Sequence, residues 1–245
     1  MGVDSGLPTF RGKEGFWREY PFAKKLGVSF EEMANPKWFD INPNLAWAFY
    51  GHRLELYRKS KPHIGFKILL DIANSKKDYF VLTSNVDGHF QKSGFNINKI
   101  YEVHGSIHHL QCSEPCIEEI WSADNIEVDI DYNKFLAKDP LPKCIYCNKV
   151  ARPNILMFND FRWVEKRAIE QRERFMDFLE KLDDKLTIIE IGAGVAVPTI
   201  RLYDEEISRN YKAILIRINP QEAFDADISI PLGAKEAIIK ISQYL

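Results

Sequence analysis

Four cysteines carry the plainest chemistry in this chain: Cys112 and Cys116 form a C-x3-C pair, and after 27 intervening residues Cys144 and Cys147 form a C-x2-C pair. Two such knuckles can place four thiolates tetrahedrally about one zinc ion, and a four-sulfur set leaves no open position for water, so the expected role is structural. Free buried thiols are the other reading. A second group follows the β-rich run from Tyr79 to Thr83, where Ser84, Asn85, Val86, Asp87 and Gly88 come next. Polar groups at the carboxyl end of a parallel strand face the crevice in which such sheets bind ligands. Asp87 capping the next helix in an Asx-type turn is the alternative. One strand later the segment EVHGSIHH puts His104 beside Gly105 at another strand end. An imidazole titrating near roughly 6.5 suits a general base at neutral pH. A lone histidine is more often structural, and it is the company of Asn85 and Asp87 that favours chemistry. A third group, IIEIGAGVAVP, opens a strand into Gly192, Ala193 and Gly194 ahead of a helix from about Thr199. Small residues there let backbone amides approach a phosphate or ribose, although any tight strand-to-helix turn would use them too.

The elements that must position these groups read as α/β. Apolar spacing predicts helices over Pro43 to Arg58, Pro62 to Asn74, Trp163 to Leu182 and Gly233 to Leu245. Strands are expected at Tyr79 to Thr83, Lys99 to Val103, Ile155 to Phe158, Thr187 to Ile191, Ala213 to Ile218 and Asp227 to Ile230. Near-continuous Val, Ile and Leu runs alternating with helices are what a parallel sheet covered on both faces requires, so the main domain is expected to be Rossmann-like. Its expected pieces are residues 1–20, 63–105 and 153–245, with a helical insertion over 21–62. The stretch 106–152 holds all four cysteines and lacks a long apolar run, and it reads as an inserted zinc-binding module. The five tryptophans are read mainly as packing residues.

Bulk properties set the outer limits. The 245 residues are 45% hydrophobic and 28% charged, with 33 basic side chains against 35 acidic ones and a net charge of -2. No general field draws such a chain to nucleic acid or to an anionic membrane, so an anionic ligand must be held locally. No stretch approaches the roughly 20 apolar residues of a membrane span, and the first residues lack the pattern of a signal peptide. The expected compartment is the cytoplasm, where reduced thiols favour metal binding over disulfides.

The order of motifs resembles the sirtuins over nearly the whole chain. DSGLPTFRG is similar to that family's cofactor-loop segment, TSNVD to its T-Q-N-I-D element and EVHG to its catalytic-histidine segment. RPNILMF resembles the strand before the substrate loop, EIGAGVAVP the ribose-binding turn, and Arg217-Ile218-Asn219 the strand whose Asn meets the adenosine. The resemblance implies an NAD-dependent protein lysine deacylase that releases nicotinamide and an O-acyl-ADP-ribose, with His104 as the base. It implies that Asp87 holds the nicotinamide carboxamide, that Ser84 and Asn85 join the polar network on the ribose side, and that Phe10 shields the reactive carbon with Arg11 beside the ribose and phosphates. Gly192, Ala193, Gly194 and Asn219 would complete the cofactor site, and an acylated protein segment would add as a strand between the Phe158 loop and the residues after Asn219. Tyr50 and Arg53 form a Y-x-x-R resembling the signature of sirtuins that remove succinyl, malonyl or glutaryl groups. One helical turn apart, a phenol and a guanidinium can converge on a carboxylate; an aromatic beside a surface arginine is the plain alternative.

Several positions depart from the family pattern. Met1 to Gly6 align with the end of a G-A-G-x-S motif, so the first strand and its phosphate-cradling glycines are expected to be missing, either because the chain starts at an internal methionine or because this form binds NAD poorly. Ser84 stands where Gln is usual, Ala193 and Gly194 where Thr and Ser are, Asn159-Asp160 where Gly-Glu is, and His89-Phe90 where Leu-His is. Two rival functions stay open from sequence. One is NAD cleavage with transfer of ADP-ribose to a side chain or to water, and the other is a catalytically weak zinc-stabilised binding domain.

Overall fold

A computed structural model describes residues 1–8, 12–183 and 185–244. After a 3-10 turn at Val3–Ser5 come helices α1 (Gly12–Glu19), α2 (Pro21–Leu26), α3 (Phe30–Met33), α4 (Trp38–Ile41), α5 (Pro43–Lys59) and α6 (Ile64–Asn74). Then follow β1 (Val81–Thr83), α7 (His89–Lys92), a 3-10 turn at Ile97–Lys99 and β2 (Ile100–Glu102). Strands β3 (Gly105–Cys112), β4 (Trp121–Ser122), β5 (Ile130–Asp131), β6 (Leu136–Ala137) and β7 (Ala151–Ile155) form the middle of the chain. The last part alternates: α8 (Lys166–Glu180), β8 (Thr187–Ile191), α9 (Thr199–Tyr211), β9 (Ile214–Ile218), β10 (Ile228–Ile230) and α10 (Ala234–Ser242).

Local chemistry accounts for the helix ends. Asn42 caps α5 by accepting from the Leu45 N–H at 3.1 Å, Pro43 fills the first turn, and Arg58 and Lys59 complement the carbonyl end. Helix α6 starts at Ile64 rather than at Pro62, because the His63 ring accepts from the Gly65 N–H at 2.9 Å and so takes the cap itself. The expected strand over Ile155 to Phe158 lies earlier, at Ala151–Ile155, and runs antiparallel to β3. Polar Arg152 and Asn154 hide this strand from an apolar pattern: both are buried, one paired with Asp160 and the other donating to Gln111 Oε1 at 3.0 Å and to the Val164 carbonyl at 2.8 Å. Beyond it the chain leaves the sheet, the Leu156 N–H donating to the His104 carbonyl and the Phe158 N–H to that of Ala34.

The parallel strands form two pieces. β1 pairs with β2, and β9 lies between β8 and β10. Among the described residues, β1 has no ladder partner on its other edge and neither has β8. Helical layers join the pieces instead. On one side a single apolar cluster holds Tyr101, Val103, Phe175 and Ile207 together with Leu82 and Ile188; elsewhere α6 packs against α10. The larger core unites the helical segment with the cysteine-bearing one, for Phe16, Tyr20, Trp47, Phe49 and Tyr50 pack with Ile107, Leu110, Ala151 and Ile155. Trp47 donates its indole N–H to the Ala151 carbonyl at 2.8 Å, so even its polar atom is satisfied inside that core. No helix among the described residues is long and apolar enough to cross a membrane.

Candidate active site

β1 delivers the chain to a turn that is held almost entirely by its own polar atoms. The Asn85 N–H donates to Thr83 Oγ1 at 3.1 Å, the Ile107 N–H to the Val86 carbonyl at 3.1 Å, and the His89 N–H to Asp87 Oδ1 at 2.9 Å. Asp87 is buried and closes an Asx-type turn at the start of α7, whose N-cap residue is Gly88 rather than Asp87 as the alternative expected, while its second oxygen stays 3.8 Å from His89 Nδ1. Asn85 is exposed and Ser84 half-buried. A Cβ on Gly2 would lie 3.7 Å from Asp87 Oδ2, so the start of the chain rests against this carboxylate.

His104 lies in the turn from β2 to β3, half-buried. Burial lowers its pKa below the ordinary imidazole value, opposed in part by a hydrogen bond to the Ser84 backbone. Its Nε2 is 3.4 Å from the hydroxyl of Thr199, the first residue of α9. Burial thus favours the neutral ring, which stands between two strand-end turns, the form and location a general base needs. The next residue is a glycine for a steric reason: Gly105 has φ +76°, and a Cβ there would meet the Asn154 carbonyl oxygen at 2.2 Å.

The turn after β8 is built differently. Gly192 adopts φ +69°, and the turn residues Ala193 and Gly194 are half-buried while Val195 to Pro198 are exposed. A single buried side chain fixes it: Asn219 Nδ2 donates to the Ala193 carbonyl at 2.9 Å while Oδ1 accepts from the N–H groups of Gln221 and Glu222. Below it Arg217 bridges three elements, donating to both oxygens of Glu190 at 2.7 and 2.9 Å and to Glu205 at 3.0 Å. Next to that network Asp204 is buried, and burial, reinforced by Glu190, raises its pKa to about 8.

Phe158 is half-buried and packs on Phe30 with ring centroids 6.2 Å apart. Its loop turns through Asn159 in a left-handed conformation and is anchored by Asp160, which takes a fully buried ion pair from Arg152 and accepts from the Met157 and Arg162 N–H groups. Tyr50 and Arg53 are both buried in α5. The Arg53 guanidinium lies within 5.9 Å of the ring centroids of Phe30, Phe49, Tyr50 and Tyr57 and donates to the Tyr57 hydroxyl at 2.7 Å. Tyr50 Oη has no partner among the described residues, and burial pushes its pKa to about 12. Phe10 and Arg11 lie outside the described residues.

The four cysteine sulfurs lie within 4.8 Å of one another, with Cys112 to Cys147 at 3.6 Å and Cys116 to Cys144 at 3.7 Å. Four Zn–S bonds of about 2.3 Å in a tetrahedron give sulfur separations of roughly 3.8 Å, so the thiols fit one zinc ion. Backbone geometry preforms the second knuckle, the Cys144 N–H donating to the Lys149 carbonyl at 2.7 Å and the Asn148 N–H back to that of Cys144 at 2.9 Å. Thr199, Arg152 and Asp160 went unassigned in the sequence. Only the place of Thr199 at a helix start and the acid just after Phe158 pointed to them.

A parallel sheet with a polar crevice at its strand ends and a four-cysteine module beside it defines the class. The sequence profile described as the Sir2 family matches residues 1–199, and the chain belongs to that family. Among curated proteins it is 30% identical to an NAD-dependent protein deacylase of Aquifex aeolicus, covering 100% of this chain and 91% of that one. It is 28% identical to an NAD-dependent protein deacylase of Leptospira interrogans, over 96% of this chain and 84% of the other. Among solved structures, a Sir2 homologue in complex with NAD matches at TM-score 0.74 and 26% identity over 99% of this chain and 84% of that chain. The four-cysteine α/β architecture is that of the sirtuin fold.

Proposed function

We propose that this chain is an NAD-dependent protein lysine deacylase of the cytoplasm whose base is His104. The observation that carries the reading is the neutral, half-buried His104 ring, bonded to the Ser84 backbone on one side and 3.4 Å from the Thr199 hydroxyl on the other, in a chain of the Sir2 family. When bound, NAD supplies a ribose carbon that the acyl-lysine carbonyl oxygen attacks as nicotinamide leaves, and with one water consumed the products are lysine, nicotinamide and O-acyl-ADP-ribose. His104 accepts the proton of a ribose hydroxyl. Asp87 holds the nicotinamide carboxamide, Asn85 and Ser84 join the polar network on the ribose side, Phe10 shields the reacting carbon with Arg11 beside the ribose and phosphates, and Gly192, Ala193 and Gly194, held by Asn219, receive the ribose. Phe158 lines the edge to which the acylated segment of the protein substrate adds. The Arg152–Asp160 pair keeps that loop in place as a positioning element. The zinc on Cys112, Cys116, Cys144 and Cys147 is structural, within a module spanning 106–152 that sits between the Rossmann-like parts 1–20, 63–105 and 153–245, and the helical insertion is 21–62.

Tyr50 and Arg53 support an acidic acyl group. A buried phenol oxygen with no partner among the described residues lies beside a guanidinium held among four aromatic rings, and a carboxylate would satisfy both. The test is mass spectrometry of the products formed from NAD and lysine peptides bearing acetyl or succinyl groups. An O-acyl-ADP-ribose that disappears in His104→Ala supports deacylation. Free ADP-ribose or ADP-ribosylated protein without acyl loss overturns it in favour of NAD cleavage for another purpose.

A further inference from the structure

A second cleft, of about 740 Å³, opens between α8, α7 and the middle of β3, and none of the residues given above to NAD or acyl-lysine lines it. It exists because β3 bulges. The register with β7 shifts between Ser106 and Leu110, which breaks the strand's alternation and lets the neighbours His108 and His109 both line the cleft. The opposite wall is one face of α8, where Arg167, Gln171 and Arg174 recur at helical spacing. Behind them Glu102, 1% exposed, is ion-paired with Arg167, and its N–H donates to Gln171 Oε1 at 3.0 Å.

Four buried polar atoms around this cleft have no hydrogen-bond partner among the described residues: Arg167 Nη1, Arg174 Nε, His109 Nδ1 and Glu102 Oε1. A buried polar group left unpaired is costly, so their gathering around one cleft marks a place suited to a polar partner. The two guanidinium nitrogens can only donate. Of the acids nearby, Glu102 pairs with Arg167 through Oε2 alone, so its orphan Oε1 calls for a proton or donor on the ligand, Glu119 faces Lys166 at 2.8 Å, and Glu170 is exposed at the rim. Lys92 spends its ammonium on backbone carbonyls, among them that of Arg58 at 3.0 Å. Burial, with the charge of Arg167 behind it, holds His109 down at about 4, as expected of a neutral ring in a field that favours anions.

We propose that this cleft is an anion site, in which Arg167 and Arg174 bind an oxyanion, the phosphate or carboxylate group of a small metabolite, with His109 beside it. The cleft backs directly onto the turn after β1, because His108 Nε2 is 2.9 Å from the Asp87 carbonyl and a Cβ on Gly88 would come within 2.8 Å of the same ring.

The test is calorimetric titration of the intact zinc-loaded protein with inorganic phosphate and, separately, with citrate, in the parent and in Arg174→Ala. That variant leaves the Glu102–Arg167 pair untouched and puts a good helix former in α8. At least one anion should bind the parent and bind the variant about tenfold more weakly or worse. Phosphate binding the tighter identifies a phosphoryl ligand, and citrate a carboxylate. Equal affinity in Arg174→Ala would put the anion elsewhere, including the NAD crevice, and overturn the site, as would the absence of binding by either anion at about 10 mM. A measurement on the parent alone covers the case of a destabilised variant: whichever of the two anions binds should shift the ring-proton NMR signals of His108 and His109, and no shift in either ring with that anion refutes the assignment.

Discussion

The turn that follows β1 and the turn that follows β8 stand at corresponding strand ends on either side of His104, and they are held in opposite ways. In the first, Thr83, Asp87 and the neighbouring β3 satisfy the backbone from several directions, and most of the turn is buried. In the second, Gly192 and Val195 to Pro198 are exposed, and Asn219 reaches in from the end of the next strand as the main fixing side chain. A turn bonded on all sides is preformed. One that is largely exposed and tied at fewer points, here by Asn219, by Glu222 Oε2 accepting from the Val195 N–H and by the Ile218 carbonyl, has more order to gain from what it binds. In the proposed site the turn after β1, on the nicotinamide side, is the more buried and more fully bonded, and the turn after β8, on the ribose side, the more exposed.

The largest effect should come from the group between the two turns. His104→Ala should lower kcat/KM for an acyl-lysine peptide by about 100-fold to 10,000-fold, with melting temperature unchanged. A loss accompanied by unfolding would mean that the ring is a structural bridge between the turns instead. Next, Asn219→Ala should weaken NAD binding by about tenfold or more, because the Ala193 carbonyl and the N–H groups of Gln221 and Glu222 lose their partner. Calorimetry with NAD would erase the contrast if the affinity did not change.

A third effect lies behind the looser turn. Asp204 titrates at about 8 in the fold, above the roughly 3.9 of an unfolded aspartate, so its contribution to stability is present below about pH 4 and is lost as pH rises through 8. Thermal melts should therefore show stability declining from about pH 5 to pH 9, and Asp204→Asn should flatten that decline. An unchanged slope would assign it to other groups. The smallest effect is expected at the well-bonded turn: Asp87→Ala removes the Asx-type bond to the His89 N–H and should cost about 1 kcal/mol in denaturant melts, whatever it does to activity.

What the sequence disclosed follows the same division. The cysteine spacing, the strand Thr187–Ile191 and helix α5 were legible because each is a local pattern, a knuckle, an apolar run or a capped helix. The chemistry of Asp87 was legible only as two competing readings, and its Asx-type turn is now seen beside an exposed Asn85. The strand Ala151–Ile155 was misplaced because its buried Arg152 and Asn154 are polar, and their partners, Asp160 and Gln111, lie in other elements. Thr199 beside His104 was invisible for a related reason, since 95 residues separate them. The division of the parallel sheet into two ladders likewise depends on how helices pack, which no window of residues reports.

Gly105 gives the site its least forgiving dimension. A side chain there would push β3 away from β7, and at their far end those strands carry Cys112 and, opposite Gln111, the Arg152 anchor of the Phe158 loop. Even a methyl group would therefore be read simultaneously at the proposed base, the metal knuckle and the substrate loop. In terms of mutational tolerance, three parts of the protein share a single gauge, and its setting is the absence of one carbon atom.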